Sequence, residues 1–208
     1  MAKQGQEAAQ GSARESAQGL DGLAAAAKDG ARENKGLPPV HLWNPPFCGD
    51  LDMRIAADGT WFYTGTPIGR PALVRLFSTI LKREDGKYFL VTPVEKVGIT
   101  VDDAPFLAVE MQKEQDASGT VLKFRTNVDD WVTCDGDHKL RFAQAEDGGL
   151  TPYLHVRSDL WAKVTRAIYY DLVDMGEEQM IDGAAMFGIA SGGAFFAMAD
   201  AEQVRQAM

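Results

Sequence analysis

One stretch, Gly49 to Arg70, constrains the fold more than any other part of the chain, and it reads GDLDMRIAADGTWFYTGTPIGR. Two short alternating runs meet there at Asp58-Gly59, which is the strongest short signal for a β-hairpin. A type I′ turn needs positive φ at both central residues, which Asp tolerates and Gly adopts freely. The stretch therefore predicts a tight hairpin that leads into a helix.

A two-residue loop would also fix the register of this hairpin. Ile55 would then face Phe62 on the core side, and Arg54 would lie on the other face beside Trp61 and Tyr63. This arrangement has two interpretations: an arginine stem packed on a tryptophan at the edge of the core, or a surface that stacks and pairs a planar anionic ligand. The sequence leaves both open.

Composition excludes several classes of function. The chain of 208 residues carries a formal charge of −9, which argues against broad contact with nucleic acid and disfavours an anionic membrane surface. Cys48 and Cys134 are too far apart for a disulfide framework or a zinc site. We predict no metal, no cofactor and no catalytic residue, because no complete motif for any of them occurs. Residues 1–35 contain no apolar secretory segment, so a cytoplasmic location is expected.

The first half of the chain predicts an arm and a small domain. Residues 1–36, rich in Ala, Gln, Gly and charge, predict a disordered or partly helical arm. Residues 37–86 predict a small α+β domain, the hairpin followed by a helix. Apolar residues at helical spacing support this helix, namely Leu73, Leu76, Phe77, Ile80 and Leu81.

From residue 87 the pattern becomes alternating, and residues 87–176 predict a second, mainly β domain. Seven strand candidates span 87–92, 97–101, 105–112, 120–126, 131–134, 138–144 and 151–156. A helix over 159–175, starting near Ser158 and Asp159, closes the series. A Val-Asp-Asp turn at both 101–103 and 128–130 is a weak sign of duplication.

Residues 177–208 predict a Gly/Ala/Phe-rich tail. Its uncharged run, 183–199, falls just short of the length that spans a membrane, so a core or interface segment is the better interpretation. A protein partner bound through this tail is one hypothesis.

Candidate ligand contacts occur in loops and at strand ends, where binding sites are often built. The segment 65–70 directly precedes a helix, and it has two interpretations. Either the exposed N–H groups of the helix start bind an anion here, or the segment only shapes the turn into the helix. Glu95 and Lys96 are either ligand contacts or an ordinary charged turn. The complete set of candidates is Arg54, Trp61, Arg70, Glu95, Lys96, Asn127 and Arg157.

Four motifs carry a resemblance to a known family: Asp-Gly-Thr-Trp, Thr-Pro-Ile-Gly-Arg-Pro, Val-Thr-Pro-Val-Glu-Lys and Val-Asp-Asp-Ala-Pro-Phe. From about Trp43 to Asp174 the chain resembles the uncharacterised bacterial family named domain of unknown function 1285. The resemblance implies an α+β fold of two small domains with a repeated motif. The second would be a pleckstrin-homology-like, seven-stranded antiparallel barrel closed by a C-terminal helix. The resemblance also implies a site for a nucleotide-like molecule at the domain interface and a role in signalling.

Three hypotheses of function follow. The leading one is a cytoplasmic, non-enzymatic sensing or signal-transduction module that binds a small anionic, nucleotide-like ligand at the domain interface. The second is a protein-interaction adaptor that uses the barrel surface or the hydrophobic C-terminal tail. The third is a hydrolase or transferase that uses Glu95. The oligomeric state stays open.

Overall fold

The structure, a computed structural model, describes residues 19–29, 36–117, 119–144 and 149–207. The chain divides into two compact units. The first unit extends to Asp102, except for Ala57–Gly59, which group with the second unit, Asp103–Met208. Of the predicted arm, 1–36, the described part is a helix over 19–29 (α1) together with Gly36, and the rest lies outside the described residues.

A six-stranded sheet forms the body of the first unit. Its strands are β1 (Phe47–Ile55), β2 (Trp61–Tyr63), β3 (Thr66–Pro67), β4 (Leu81–Glu84), β5 (Lys87–Val91) and β6 (Lys96–Val101), in the order β3-β2-β1-β6-β5-β4. A 3₁₀ turn, Val40–Leu42, precedes β1. The central strands β1 and β6 are parallel, and the other neighbouring pairs are antiparallel. The predicted strands 87–92 and 97–101 thus complete this first sheet.

Helix α2 (Pro71–Thr79) confirms the helix predicted after the hairpin. Pro71 occupies its first turn, where a missing N–H costs nothing. Leu73 and Phe77 bury the apolar face. Ile80 caps the helix and Leu81 already belongs to β4, so the last two residues of the predicted apolar stripe are buried outside the helix.

The predicted register of the first hairpin was wrong by one residue. Ile55 pairs with Trp61, and Arg54 pairs with Phe62. The N–H of Ala56 bonds to the carbonyl of Thr60, so the loop has three residues, and within it only Gly59 has positive φ, +80°. A three-residue loop ending in a left-handed glycine is the next most common hairpin connection, and a shift of one residue exchanges the two faces.

The second unit contains a second six-stranded sheet. Its strands are β7 (Phe106–Asp116), β8 (Gly119–Thr126), β9 (Trp131–Cys134), β10 (Leu140–Gln144), β11 (Leu150–Arg157) and β12 (Leu160–Val164), in the order β10-β11-β12-β7-β8-β9. Strand β12 runs parallel to β7. Helix α3 (Arg166–Asp174) follows β12.

The two sheets have the same topology. In each sheet, the first strand is central and the next two lie successively farther out on one side. The fourth strand forms the opposite edge, and the fifth and sixth return to the centre, where the sixth pairs in parallel with the first. This shared connectivity supports duplication. The Val-Asp-Asp echo does not follow it, because residues 101–103 end the first sheet whereas residues 128–130 join β8 to β9.

The predicted seven-stranded barrel closed by a C-terminal helix is wrong, and the pleckstrin-homology-like part is not confirmed. Five of the seven predicted strands belong to the second sheet, as β7 to β11. Residues 160–164, predicted as helix, form its sixth strand, because Ser158 at φ +49° turns the chain back into a hairpin. The helix begins only at Arg166, with Thr165 as its N-cap residue.

The predicted tail folds as a third sheet in the second unit. Its strands are β13 (Glu177–Ile181), β14 (Ala184–Ser191) and β15 (Ala194–Asp200), and helix α4 (Ala201–Ala207) follows. Asp182-Gly183 and Gly192-Gly193 form its two-residue turns, with positive φ at all four positions. Strand β14 packs against β8, and β15 packs against β10. Across the described residues, no helix is long and apolar enough to cross a membrane.

Candidate functional site

The register shift separates the two residues on which the predicted stacking surface depended. Trp61 lies in the core of the first unit, where it is only 2% exposed. Its indole therefore offers no face to a ligand at the surface. Arg54 is exposed on the opposite face, where its guanidinium pairs with Asp102 at 3.0 Å and lies 5.1 Å from the ring centroid of Phe62.

Arg70 is the most accessible of the four predicted cations. Its side chain is 64% exposed, and Asp21 in α1 lies 3.9 Å away. Its backbone carbonyl accepts the N–H groups of Leu73 and Val74 and so starts helix α2. An ion pair this open to solvent is weak, so the guanidinium is available to another anion.

Lys96 is held in a local ion-pair cluster of the first sheet. Its ammonium group lies 2.9 Å from Glu84 and 5.0 Å from the ring centroid of Phe89. Lys82 approaches the other oxygen of Glu84 at 2.7 Å. The neighbouring Glu95 closes a turn, in which its N–H and carbonyl bond to Thr92.

The Glu84 cluster predicts a pH dependence of stability. Hydrogen bonds from Lys82 and then Lys96 hold the pKa of Glu84 below its ordinary 4.5. A carboxyl group with a lowered folded-state pKa stabilises the fold above its unfolded pKa, and this contribution is lost as the pH falls through the folded value. Glu84→Gln should therefore destabilise the protein at pH 7, and its difference from wild type should shrink below about pH 4.5. Urea unfolding at several pH values measures this difference.

Glu95→Gln is the matched control, because it removes the same charge from a carboxylate that has no ion pair among the described residues. Its effect should stay small throughout. A Glu84→Gln difference that is equally large at pH 7 and pH 3.5 would contradict the prediction.

The remaining two candidates, Asn127 and Arg157, belong to the second unit, whereas the other five belong to the first. Asn127 accepts the N–H of Leu107 at 3.0 Å and so secures the start of β7. Arg157 pairs with Asp130 at 3.2 Å and covers the ring of Phe106 at 5.0 Å. Burial lowers the pKa of Arg157 from its ordinary value. The interface site that these seven residues were predicted to form stays a prediction.

A cluster that the sequence prediction missed lies on the second sheet. We call it the aromatic–cationic face, and it consists of Arg141, Tyr153, His155, Trp161 and Lys163. These residues occupy alternate positions of β10, β11 and β12, and the residues between them, such as Leu154 and Ala162, are buried. Alternation places all five side chains on the same face of the sheet.

Strand pairing brings these side chains into contact. Arg141 pairs with Tyr153, Tyr153 pairs with Lys163, and His155 pairs with Trp161 in the adjacent row. The guanidinium of Arg141 lies 4.4 Å from the ring centroid of Trp161 and 5.0 Å from that of Tyr153. The His155 ring meets Trp161 edge-on at 5.1 Å. The contacts of Arg141 with the two rings hold its guanidinium by cation–π attraction.

The two cations of the face differ in how they are compensated. Asp103 accepts a hydrogen bond from Lys163 at 2.6 Å and another from the hydroxyl of Tyr153 at 2.8 Å. Burial, and then this bond to Asp103, raise the pKa of Tyr153 to about 12. Arg141 is exposed and forms no ion pair with any described residue. It is therefore the cation of this face that is open to an incoming anion.

A sequence signal for this face existed but was assigned to the wrong element. Trp161 and Val164 fit a helical stripe that continues to Ile168, so residues 160–164 were predicted as helix. The same residues also alternate, with Leu160, Ala162 and Val164 buried and Trp161 and Lys163 half-exposed. A run of five residues is compatible with both the helical period of about 3.6 and the strand period of two, and only pairing with a neighbouring strand decides between helix and strand.

Other chemistries find little support in the described part of the chain. No group of three or more His, Cys, Asp or Glu side chains lies close enough there to hold a metal ion. Burial raises the pKa of the Cys134 thiol to about 12, which keeps this thiol protonated and unreactive at neutral pH.

The fold defines an α+β protein with a duplicated six-stranded sheet and a third, three-stranded sheet. Residues 38–104 match the N-terminal domain of unknown function DUF1285, and residues 105–198 match the C-terminal domain of the protein of unknown function DUF1285. These matches cover most of the chain, so the protein belongs to the DUF1285 family. This confirms the resemblance seen in the sequence.

Two solved structures are similar to the chain. A DUF1285 family protein from Silicibacter pomeroyi DSS-3 is 52% identical with a TM-score of 0.75, over 83% of this chain and 92% of that chain. A DUF1285 family protein from Shewanella baltica OS155 is 32% identical with a TM-score of 0.48, over 60% of this chain and 91% of that chain. No curated protein matches the chain.

Proposed function

We propose that the protein is a non-enzymatic binding module for a small anionic ligand, and that the aromatic–cationic face of the second unit receives it. The observation that carries this proposal is Arg141, an exposed guanidinium held over Trp161 at 4.4 Å without a carboxylate partner among the described residues. In a chain with a net charge of −9, an arginine that is ordered by aromatic rings and left uncompensated favours an anion.

The surroundings of Arg141 support binding in two ways. Two rings, Tyr153 and Trp161, already order its side chain, so little rotamer freedom is lost when a ligand binds. A guanidinium also presents a fork of N–H donors that matches a carboxylate or phosphate in two parallel hydrogen bonds. Flat aromatic and guanidinium surfaces favour a ligand with a planar group, as in the nucleotide-like class that the family resemblance implies.

A thermal-shift screen of the full chain with nucleoside phosphates and sugar phosphates tests this proposal. A ligand at about a hundredfold excess over its dissociation constant adds about 2.7 kcal/mol of stability, equivalent to a rise in Tm of about 5–10 °C for a chain of this size. Arg141→Gln should abolish the shift because it removes the charge and the guanidinium fork while it keeps a polar, unbranched side chain.

Arg70→Gln is the informative comparison, since Arg70 is the most exposed cation predicted from the sequence. If Arg141→Gln abolishes the shift and Arg70→Gln retains it, the site lies on the second sheet. The reverse result would place the site in the first unit and refute the aromatic–cationic face. Absence of any shift in the wild-type protein would refute the binding function for these ligand classes.

A further inference from the structure

A groove lies at the junction of the second sheet with α3, and Lys163 is the one lining residue that it shares with the aromatic–cationic face. It has a volume of about 330 Å³, and neither Arg141 nor Trp161 lines it. The residues that matter for its chemistry are Leu150, Pro152, Lys163, Arg166, Tyr169 and Tyr170. This volume is at the lower end of the range for ligand pockets, so the groove suits a metabolite-sized molecule.

Among the described residues, the groove has one uncompensated positive charge. Lys163 is neutralised by Asp103 at 2.6 Å. Arg166 is exposed, its Nε donates to the hydroxyl of Tyr170 at 2.9 Å, and it has no ion pair among the described residues. Its guanidinium lies 5.5 Å from the ring centroid of Tyr170, which leaves the terminal N–H groups of a held arginine for an anion. One cation neutralises only one negative charge, so a monoanion is fully paired in this groove whereas a doubly charged phosphate would keep one charge unpaired.

Apart from Gly149 and Thr151, the remaining described residues of the groove are apolar or aromatic. Leu150 and Pro152 come from β11, and the rings of Tyr169 and Tyr170 lie 6.1 Å apart on α3. Burial raises the pKa of Tyr169 above its ordinary value, so this phenol stays neutral and adds no negative charge to the groove. Walls of this kind favour an apolar or flat body attached to the charged group.

We infer that this groove binds a small monocarboxylate with an aromatic or branched aliphatic body. Arg166 receives the carboxylate in its guanidinium fork, and the two tyrosines with Leu150 and Pro152 cover the body of the ligand. This site goes beyond the proposed function, because it has a different cation and a different ligand class.

Amide NMR spectra of the ¹⁵N-labelled full chain test the inference with three probes. The probes are 3-phenylpropionate, its uncharged analogue 3-phenylpropionamide, and acetate, which has the charge without the body. We expect 3-phenylpropionate to shift signals of residues 149–151 and 163–170 with a saturable dissociation constant. The amide and acetate should bind at least about tenfold more weakly, since each lacks one of the two recognised parts.

Substitutions then assign the carboxylate contact. Arg166→Gln should weaken binding of 3-phenylpropionate at least about tenfold, and Arg166→Lys should recover part of it as a point charge. Arg75→Gln, which removes an exposed arginine of α2 in the first unit, should leave binding unchanged.

Three results would overturn the inference: no saturable shift with 3-phenylpropionate, equal binding of the amide, or unchanged binding in Arg166→Gln. These results leave the Arg141 proposal standing, because that proposal is measured with phosphorylated probes and a different substitution. Loss of phosphate-dependent stabilisation in Arg141→Gln says nothing against the groove for the same reason.

Discussion

Replacing Trp61 with alanine should lower the free energy of unfolding by about 3–5 kcal/mol, which is much of the total stability of an ordinary domain. The indole is 2% exposed and faces the same core as Ile55 and Met53. Truncation removes its burial and leaves a cavity that a six-stranded sheet cannot easily close. Denaturant unfolding followed by far-UV circular dichroism measures the loss.

Phe62→Ala is the matched control, because the two registers of the hairpin make opposite predictions for this pair. The two-residue loop expected from the sequence would bury Phe62 and expose Trp61, whereas the observed register half-exposes Phe62 beside Arg54. Its truncation should cost about 1 kcal/mol. A larger loss from Phe62→Ala than from Trp61→Ala would show that the hairpin has the two-residue register.

The polar atom of Trp61 allows a second comparison. Its indole nitrogen is buried and has no hydrogen-bond partner among the residues that the structure describes. Trp61→Phe removes this unsatisfied donor, which is favourable, and keeps most of the ring volume. The smaller ring leaves a cavity, which is unfavourable, so the two effects on stability oppose each other. The phenylalanine variant should therefore be clearly more stable than the alanine variant.

Strand positions were readable from the sequence because turn chemistry separates them. The predicted strands 87–92, 97–101, 120–126 and 131–134 each match an observed strand within one or two residues. Turns such as Asp85-Gly86, with φ of +49° and +79°, have the local conformation that their residue types favour. Local turn preferences act within four residues, so turns can be predicted without knowledge of the partner strands.

Strand partners were not readable, and they decided the architecture. Strand β6 pairs with β1, about fifty residues earlier in the chain, and β12 pairs with β7 in the same manner. A parallel pair leaves no turn between its strands as a sequence signal. The predicted barrel therefore joined β5 and β6 to the wrong sheet. No strands were predicted in the tail, although Asp182-Gly183 and Gly192-Gly193 are hairpin signals.

The candidate site was affected by the same limits. Arg54 and Trp61 were placed on the same face of the hairpin because the predicted register was off by one residue. No property of either residue alone reveals the correct register. Arg141 and Trp161 lie twenty residues apart, and they meet only because Arg141 pairs with Tyr153 while His155 pairs with Trp161. Cross-strand contacts of this kind require the pairing of three strands to be known first.

Ser191→Ala should destabilise the second unit by about 1–3 kcal/mol for each polar group left without a partner. Leu122 on β8 and Cys134 on β9 are paired in register. The hydroxyl of Ser191 accepts the N–H of Leu122 at 2.9 Å and donates to the carbonyl of Cys134 at 2.6 Å. Because Ser191 is only 1% exposed, water cannot easily replace the lost hydroxyl.

The two hydrogen bonds of the Ser191 hydroxyl tie the third sheet to the second, so their loss should appear locally as well as in overall stability. The N–H of Gly192 also bonds to the carbonyl of Thr120 at 2.9 Å, and this hydrogen bond remains in the variant. Amide exchange at Leu122 should accelerate in Ser191→Ala as its donor loses an acceptor. Ser78→Ala is the control. Ser78 is equally buried, but its substitution removes no hydrogen bond of the second unit. Unchanged exchange at Leu122 in Ser191→Ala would show that the hydroxyl does not hold the two sheets together.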